Sequence, residues 1–280
     1  MFANVRSKFC VSQNRLRSIG VPANVPVCGV VLGGSMKKLF SIVLIVLILC
    51  SAAFCLIACN NTSIDYSKDN SYGFEVTEDD DAVTYMPKGV TAKYGLLFYL
   101  GTFIAPEGYS YLAEPLAKQG YAVVISKIAL AYFLYKETEV AFEKYPNIEF
   151  FIGGHSQGGG AAIKRAQENI DTVKGVVLYA PLCSGQETIA DTDLPTLLLE
   201  ATKDNVLNYS QKETARGRLP ENRTVYMLDG CHMSFSSFDD DALLAPFNDG
   251  PVTAEEKAAQ KEMTYQYTLA FMRSVILGAK

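Results

Sequence analysis

Histidine is nearly absent from this chain. Only His155 and His232 occur in 280 residues, so any reaction that needs an imidazole has two side chains to draw on. Acid is absent from the first 58 residues, which carry Arg6, Lys8, Arg15, Arg17, Lys37 and Lys38. From Cys59 onward 19 basic residues face 30 acidic ones, a net charge near −11, which argues against a nucleic-acid-binding surface. The glycine-rich stretch Gly153–Gly160 lacks the closing Lys-Ser or Lys-Thr pair, which excludes a nucleotide-binding loop. No internal repeat is present.

What is there suffices for one large core: 49% of residues are hydrophobic and 11% aromatic. Residues 39–58 form a run of twenty without charge, directly after Lys37 and Lys38. A basic start, an apolar stretch and small residues at the end describe an export signal. Leu56-Ile57-Ala58-Cys59 resembles a bacterial lipoprotein box, which implies acylation of Cys59 as the first mature residue. A plain transmembrane anchor is the competing reading, because the run is about as long as a bilayer requires. Either way the domain is expected outside the cytoplasm, tethered to a membrane. Met36 is the natural start of such a signal, so residues 1–35 are expected to be a leader or a mis-assigned start. The expected organisation is 1–35 leader, 36–58 signal, 59–81 polar flexible tether and 82–280 folded domain. The acids Asp79-Asp80-Asp81 are expected to be a solvated loop.

From Ala82 onward apolar β-prone runs alternate with helical ones. AVTYM, YGLLFYLG, YAVVIS, IEFFIGG, KGVVLYA, PTLLLEA and RTVYMLD read as strands. SYLAEPLAKQG, a stretch ending at Tyr145, GGAAIKRAQENI, YSQKETARGRL and residues 254–277 read as helices. Apolar strands without two-residue alternation, joined through helices, predict an α/β fold. Its sheet is mostly parallel and covered on both faces.

Residues 154–158, Gly-His-Ser-Gln-Gly, form the G-x-S-x-G pattern between a predicted strand and a predicted helix. A serine on such a turn is held in a strained conformation with its hydroxyl exposed. Ser156 is therefore the candidate nucleophile. A hydroxyl needs a general base, and the base needs an orienting acid. His155 adjoins Ser156 and is expected to leave the turn in another direction. The base is then His232, in a loop after the RTVYMLD strand, at the end of the sheet where such sites gather. For the acid, Asp191 and Asp193 precede a strand and Glu200 lies on it. Asp204 lies in the turn after it and is chosen. Oxyanion donors are expected from the N–H of Gln157 and from Thr102 or Phe103, in the loop where Gly101 allows a tight turn.

These motifs resemble the α/β-hydrolase superfamily. More narrowly, they resemble its small lidless bacterial group related to dienelactone hydrolases, over about Tyr94 to Gln260. YLGTFIAPEGYSYLAEPLAKQGYAVVISK is similar to that group's oxyanion loop, helix and strand. GGHSQGGGAA is similar to its elbow, EATKDNVLN to its acid turn, and LDGCHMSF with NDGPVTAEEKAAQ to its histidine loop and last helix. The resemblance implies a single-domain α/β-hydrolase fold with Ser156, Asp204 and His232 as triad. Only about fifteen residues lie where cap domains are usually inserted, before Leu194-Pro195, so no cap is expected. Leu100, Thr102 and Cys231 depart from the group's usual residues. Ser156 stands where the dienelactone hydrolases carry cysteine, so their particular reaction is not implied.

The implied activity is hydrolysis of a small-molecule carboxylic ester through an acyl-enzyme, with no metal or organic cofactor and no nucleic-acid partner. Thioester or amide hydrolysis, acyl transfer on the same triad, and a non-catalytic lipoprotein binding module are the alternatives. Lys127, at a strand end, is a candidate for a substrate anion, with an ordinary ion pair as the competing reading. Phe103, Tyr109, Tyr132 and Phe235 are candidates for an apolar acyl pocket. Asp239-Asp240-Asp241 is a candidate negative rim. Cys183 and Cys231 follow strands two positions apart, too far for a disulfide, and are expected as free thiols.

Overall fold

A computed structural model describes residues 63–127, 140–237 and 248–278. The leader, the apolar run 36–58, Cys59, Tyr132 and Asp239-Asp240-Asp241 lie outside the described residues. Among the described residues no helix is long and apolar enough to cross a membrane.

Eight strands form one sheet: β1 (Gly73–Glu78), β2 (Ala82–Lys88), β3 (Tyr94–Tyr99), β4 (Ala122–Ser126), β5 (Glu149–His155), β6 (Val176–Tyr179), β7 (Thr196–Ala201) and β8 (Thr224–Leu228). Their order is β1-β2-β4-β3-β5-β6-β7-β8. The first two pairings, β1 with β2 and β2 with β4, are antiparallel, and all the others are parallel. The helices are α1 (Ser110–Lys118), α2 (Val140–Lys144), α3 (Gln157–Glu168), α4 (Tyr209–Arg216) and α5 (Ala254–Ile276).

Strands β3, β4, β6 and β7 are buried at every residue, which explains why their sequences show no alternation. Successive side chains still divide between two cores. Leu96, Phe98, Val123 and Ile125 pack on one face with Leu112 and Leu116 of α1 and Phe271 and Met272 of α5. Leu97, Tyr99, Val124 and Ile152 pack on the other with Ala141 of α2 and Ala161, Ala162 and Ala166 of α3. Each large apolar side chain so buried contributes roughly 1.5–3 kcal/mol. Capping boxes start two of the helices. Asn208 and Gln211 exchange hydrogen bonds at α4, and Thr253 and Glu256 at α5.

Residues 63–81, expected within a flexible tether, are instead built into the fold. β1 lies there, and Tyr66 is buried with its hydroxyl donating to Gly120 O at 3.1 Å and its ring edge-on to Tyr94. Polar composition concealed this, because β1 is an exposed edge strand whose partner supplies the apolar side. Asp79 closes the β1–β2 turn by accepting from the N–H groups of Asp81 and Ala82, and it pairs with Lys144 at 2.6 Å. The connection 180–195 carries no helix, in line with the expected lack of a cap there.

Candidate active site

β5 ends at His155, and α3 begins at Gln157 with Ser156 as its N-cap. Ser156 has φ 52° and ψ −122°, a conformation that costs a non-glycine residue of order 1–3 kcal/mol. The flanking glycines make the turn possible. A Cβ on Gly154 would strike the Gly158 carbonyl, and one on Gly158 would strike that of Tyr99. Two more non-glycine residues with positive φ surround the elbow, Phe103 at 65° and Ala180 at 40°. Strain of this kind concentrates at functional sites.

The acid and base candidates come together. Asp204 Oδ2 lies 3.0 Å from His232 Nδ1, and both side chains are almost wholly buried. Asp204 Oδ1 accepts from the N–H groups of Val206 and Leu207, each at 3.0 Å. Burial pushes the Asp204 carboxyl up. The His232 hydrogen bond and charge, the Leu207 N–H and Lys212 together outweigh it, so its pKa lies below the ordinary value. Asp204 follows β7, His232 follows β8 and Ser156 follows β5, all at the carboxyl ends of parallel strands. Glu200 is committed elsewhere, its carboxylate paired with Arg216 at 2.6 Å. Asp191 and Asp193 precede β7, as expected.

His155 departs from expectation. Its ring centroid lies 4.8 Å from that of His232, so it does not turn away. It is fully buried, and its Nδ1 is 2.9 Å from the Tyr109 hydroxyl, which also accepts from the Gly101 N–H at 2.9 Å. The hydroxyl thus bridges the Gly101 N–H and the His155 ring. Burial first, and then the neighbouring His232, push the His155 pKa well below 6.5, so this ring stays neutral.

The loop after β3 makes a turn closed by Ile104 N–H to Gly101 O at 3.2 Å. Phe103 carries the positive φ there, and Gly101 is required for space: a Cβ would lie 2.8 Å from His155 Nδ1 and 3.1 Å from the Tyr109 hydroxyl. Thr102 Oγ1 donates to Gln157 Oε1 at 2.8 Å. The Gln157 N–H is among the first of α3, which have no partner within the helix.

Other expected contacts with substrate are not made this way. Tyr109 and Phe235 are fully buried, so neither offers surface to a ligand. Tyr109 holds the loop, and Phe235 stacks on Tyr179 at 5.5 Å. Lys127 points to β1, pairing with Glu78 at 2.9 Å and the Asp79 carbonyl at 2.8 Å. Phe103 is 70% exposed beside the loop. Cys183 and Cys231 are free thiols, as expected; burial pushes Cys183 to about 12 and raises Cys231.

Two positioning groups were not anticipated. Asp249 accepts from Asn205 N–H at 3.1 Å through one oxygen and from Met233 N–H at 2.8 Å through the other. It thus ties the residue after Asp204 to the residue after His232. Gln260, buried in α5, accepts from the Cys231 N–H and donates to the Cys231 carbonyl, both at 3.0 Å. Asp249 stands in an Asn-Asp-Gly segment ahead of a capped helix, but nothing in the local pattern signals its distant partners.

An eight-stranded, mostly parallel sheet with a serine elbow after β5 and an Asp–His pair after β7 and β8 is the architecture of an α/β-hydrolase. The model of the Alpha/beta hydrolase family matches residues 95–242, more than half of the chain, and the chain belongs to that family. Among solved structures, a predicted CIB-like hydrolase from Thermoplasma acidophilum is similar, with TM-score 0.53 and 14% identity over 72% of this chain and 100% of that one. The esterase domain of a Rhodothermus marinus protein gives TM-score 0.49 and 14% identity over 71% and 98% of the two chains. TT1662 from Thermus thermophilus gives 0.49 and 14% over 72% and 98%. The comparison with curated proteins finds no match.

Proposed function

We propose that this hydrolase cleaves carboxylic esters through a Ser156–His232–Asp204 triad and an acyl-enzyme. The observation that carries the reading is the buried 3.0 Å contact between Asp204 and His232, whose ring lies against the residue preceding a strained elbow serine. Ser156 Oγ attacks the ester carbonyl carbon while His232 Nε2 takes its proton. Asp204, ionised, fixes the tautomer by accepting from Nδ1–H and stabilises the imidazolium. The oxyanion is met by the Gln157 N–H and by an N–H of the Thr102–Phe103 turn, a pair contributing several kcal/mol to transition-state stabilisation. Collapse expels the alcohol, protonated by His232. Water activated by His232 then attacks the acyl carbon and releases the acid and free Ser156.

A fluorophosphonate probe tests the nucleophile. Labelling of Ser156, lost in Ser156→Ala along with ester turnover, is expected. Equal turnover in that variant overturns the reading. A panel of esters, thioesters and amides of graded acyl length then ranks the scissile bond, with esters expected first. We place the enzyme outside the cytoplasm, held to a membrane through lipidated Cys59. Incorporation of labelled fatty acid, abolished by Cys59→Ala, is the expected result. Retention of the whole uncharged run in the mature chain would make the attachment a transmembrane anchor instead.

A further inference from the structure

The two edges of the sheet are built differently. At one edge, β1 exposes Glu75 and Glu78. Charge on an edge strand discourages a second chain from pairing with its open N–H and C=O groups. At the other edge β8 reads Thr-Val-Tyr-Met-Leu, with neither charge nor proline. Among the described residues β7 is its one neighbour in the sheet, and Val225, Tyr226 and Met227 are 44%, 38% and 52% exposed. The apolar surface continues onto α5, where Tyr267 stacks on Tyr226 at 3.9 Å and Met263, one turn earlier, is 40% exposed. An uncharged, exposed edge of this composition invites strand addition.

The sequence of this edge specifies which strand. Side chains alternate along a strand, so Val225 and Met227 share one face, and Arg223 and Asp229 flank this row just beyond the two ends of β8. Reversed, the row with its flanks reads Asp, Met, Val, Arg. Laid antiparallel on its own copy about Tyr226, it sets Arg223 against Asp229, Val225 against Met227 and Tyr226 against Tyr226. Opposed residues in an antiparallel pair project to the same side, so both ends of the row form ion pairs. Other registers lose this. Centring the pair on Val225 sets Glu221 against Asp229, and centring it on Met227 sets Arg223 against Cys231. The Asp229 side chain is 74% exposed, with Oδ1 accepting from Thr202 Oγ1 at 3.1 Å and Lys203 3.9 Å away. Arg223 donates through Nη1 to Pro220 O at 2.9 Å, and its buried Nε has no hydrogen-bond partner among the described residues.

We propose that β8 pairs with β8 of a second copy in a two-fold antiparallel interface centred on Tyr226, joining two sheets into one. Such an interface is isologous and closes on itself, so it stops at a dimer. Two measurements on the purified full chain in mild detergent test it. Tyr226→Cys brings two thiols together across the axis and should give, on mild oxidation, a dimer whose 226–226 link is found by mass spectrometry. Thr77→Cys on the β1 edge is the control and should not cross-link. By sedimentation, Arg223→Asp and Asp229→Arg should each raise the dimer dissociation constant about tenfold, since each opposes like charges. The double swap should return it to near the native value. Cross-linking at 226 no better than at 77, or a double swap no tighter than the singles, overturns the proposal. Neither readout depends on hydrolysis, so the test stands apart from the assigned reaction.

Discussion

Thr102 Oγ1 donates to Gln157 Oε1 at 2.8 Å, joining the loop after β3 to the first residue of α3. These are the two segments assigned to the oxyanion. Thr102→Ala should therefore lower kcat about 5- to 10-fold with KM little changed, because a loosened donor matters most when charge develops on the substrate oxygen. Thr102→Ser keeps the hydroxyl and should restore the rate. Steady-state kinetics on a short-chain ester checks both.

On the other side of Ser156, the Tyr109 hydroxyl sits between Gly101 N–H and His155 Nδ1. Tyr109→Phe leaves both groups buried without that partner, at a cost of about 2 kcal/mol. A fall in Tm of roughly 4–8 °C is expected for a domain of this size. Thermal unfolding followed by circular dichroism measures it.

Asp249 joins the acid turn to the histidine loop through separate oxygens. Asp249→Ala should reduce kcat by about tenfold or more through misplacement of His232 relative to Asp204. Labelling of Ser156 by a fluorophosphonate should slow in parallel. Asp249→Asn, with one acceptor oxygen left, should fall between that variant and the native chain.

Acid should destabilise the fold in two stages. His155 is buried and neutral, its folded pKa well below 6.5, so only the unfolded chain takes up that proton as pH falls past 6.5. Its contribution is complete above that pH and is lost below it by about 1.4 kcal/mol per pH unit. Asp204 has a depressed folded pKa. Its stabilisation is present above 3.8 and disappears as pH drops through the folded value. Urea titrations between pH 7 and 5 should show the first slope, and His155→Gln should flatten it by about one proton.

Ser156→Gly should raise stability by roughly 1–3 kcal/mol while abolishing turnover, since φ 52° and ψ −122° cost a Cβ-bearing residue that much. Chemical denaturation of the inactive variant gives the value. A variant no more stable than the native chain would show that the elbow stores no strain.

The parts of this molecule legible in its sequence are those whose chemistry is local. The elbow shows in five residues because the turn needs its glycines at fixed offsets. Asp204 and His232 could be picked out because each follows a strand readable from its own apolar run. Tyr109 looked like a ligand contact because a loop tyrosine near the site gives no sign that its hydroxyl points inward to Gly101. Lys127 gave no sign of Glu78, 49 residues earlier, and Asp249 none of Asn205, 44 residues earlier. β1 was hidden for a related reason: an edge strand needs no apolar row of its own when its neighbour carries the core. Partnerships across such distances are written in three dimensions and leave little local pattern.

The grip of Gln260 on Cys231 has a temporal meaning. The residue that steadies the loop of His232 comes 28 positions later, in the last helix described. During synthesis Ser156 therefore emerges long before the loop of His232 can be held in place. If the proposed triad operates, the reactive centre is completed only when the last helix has packed.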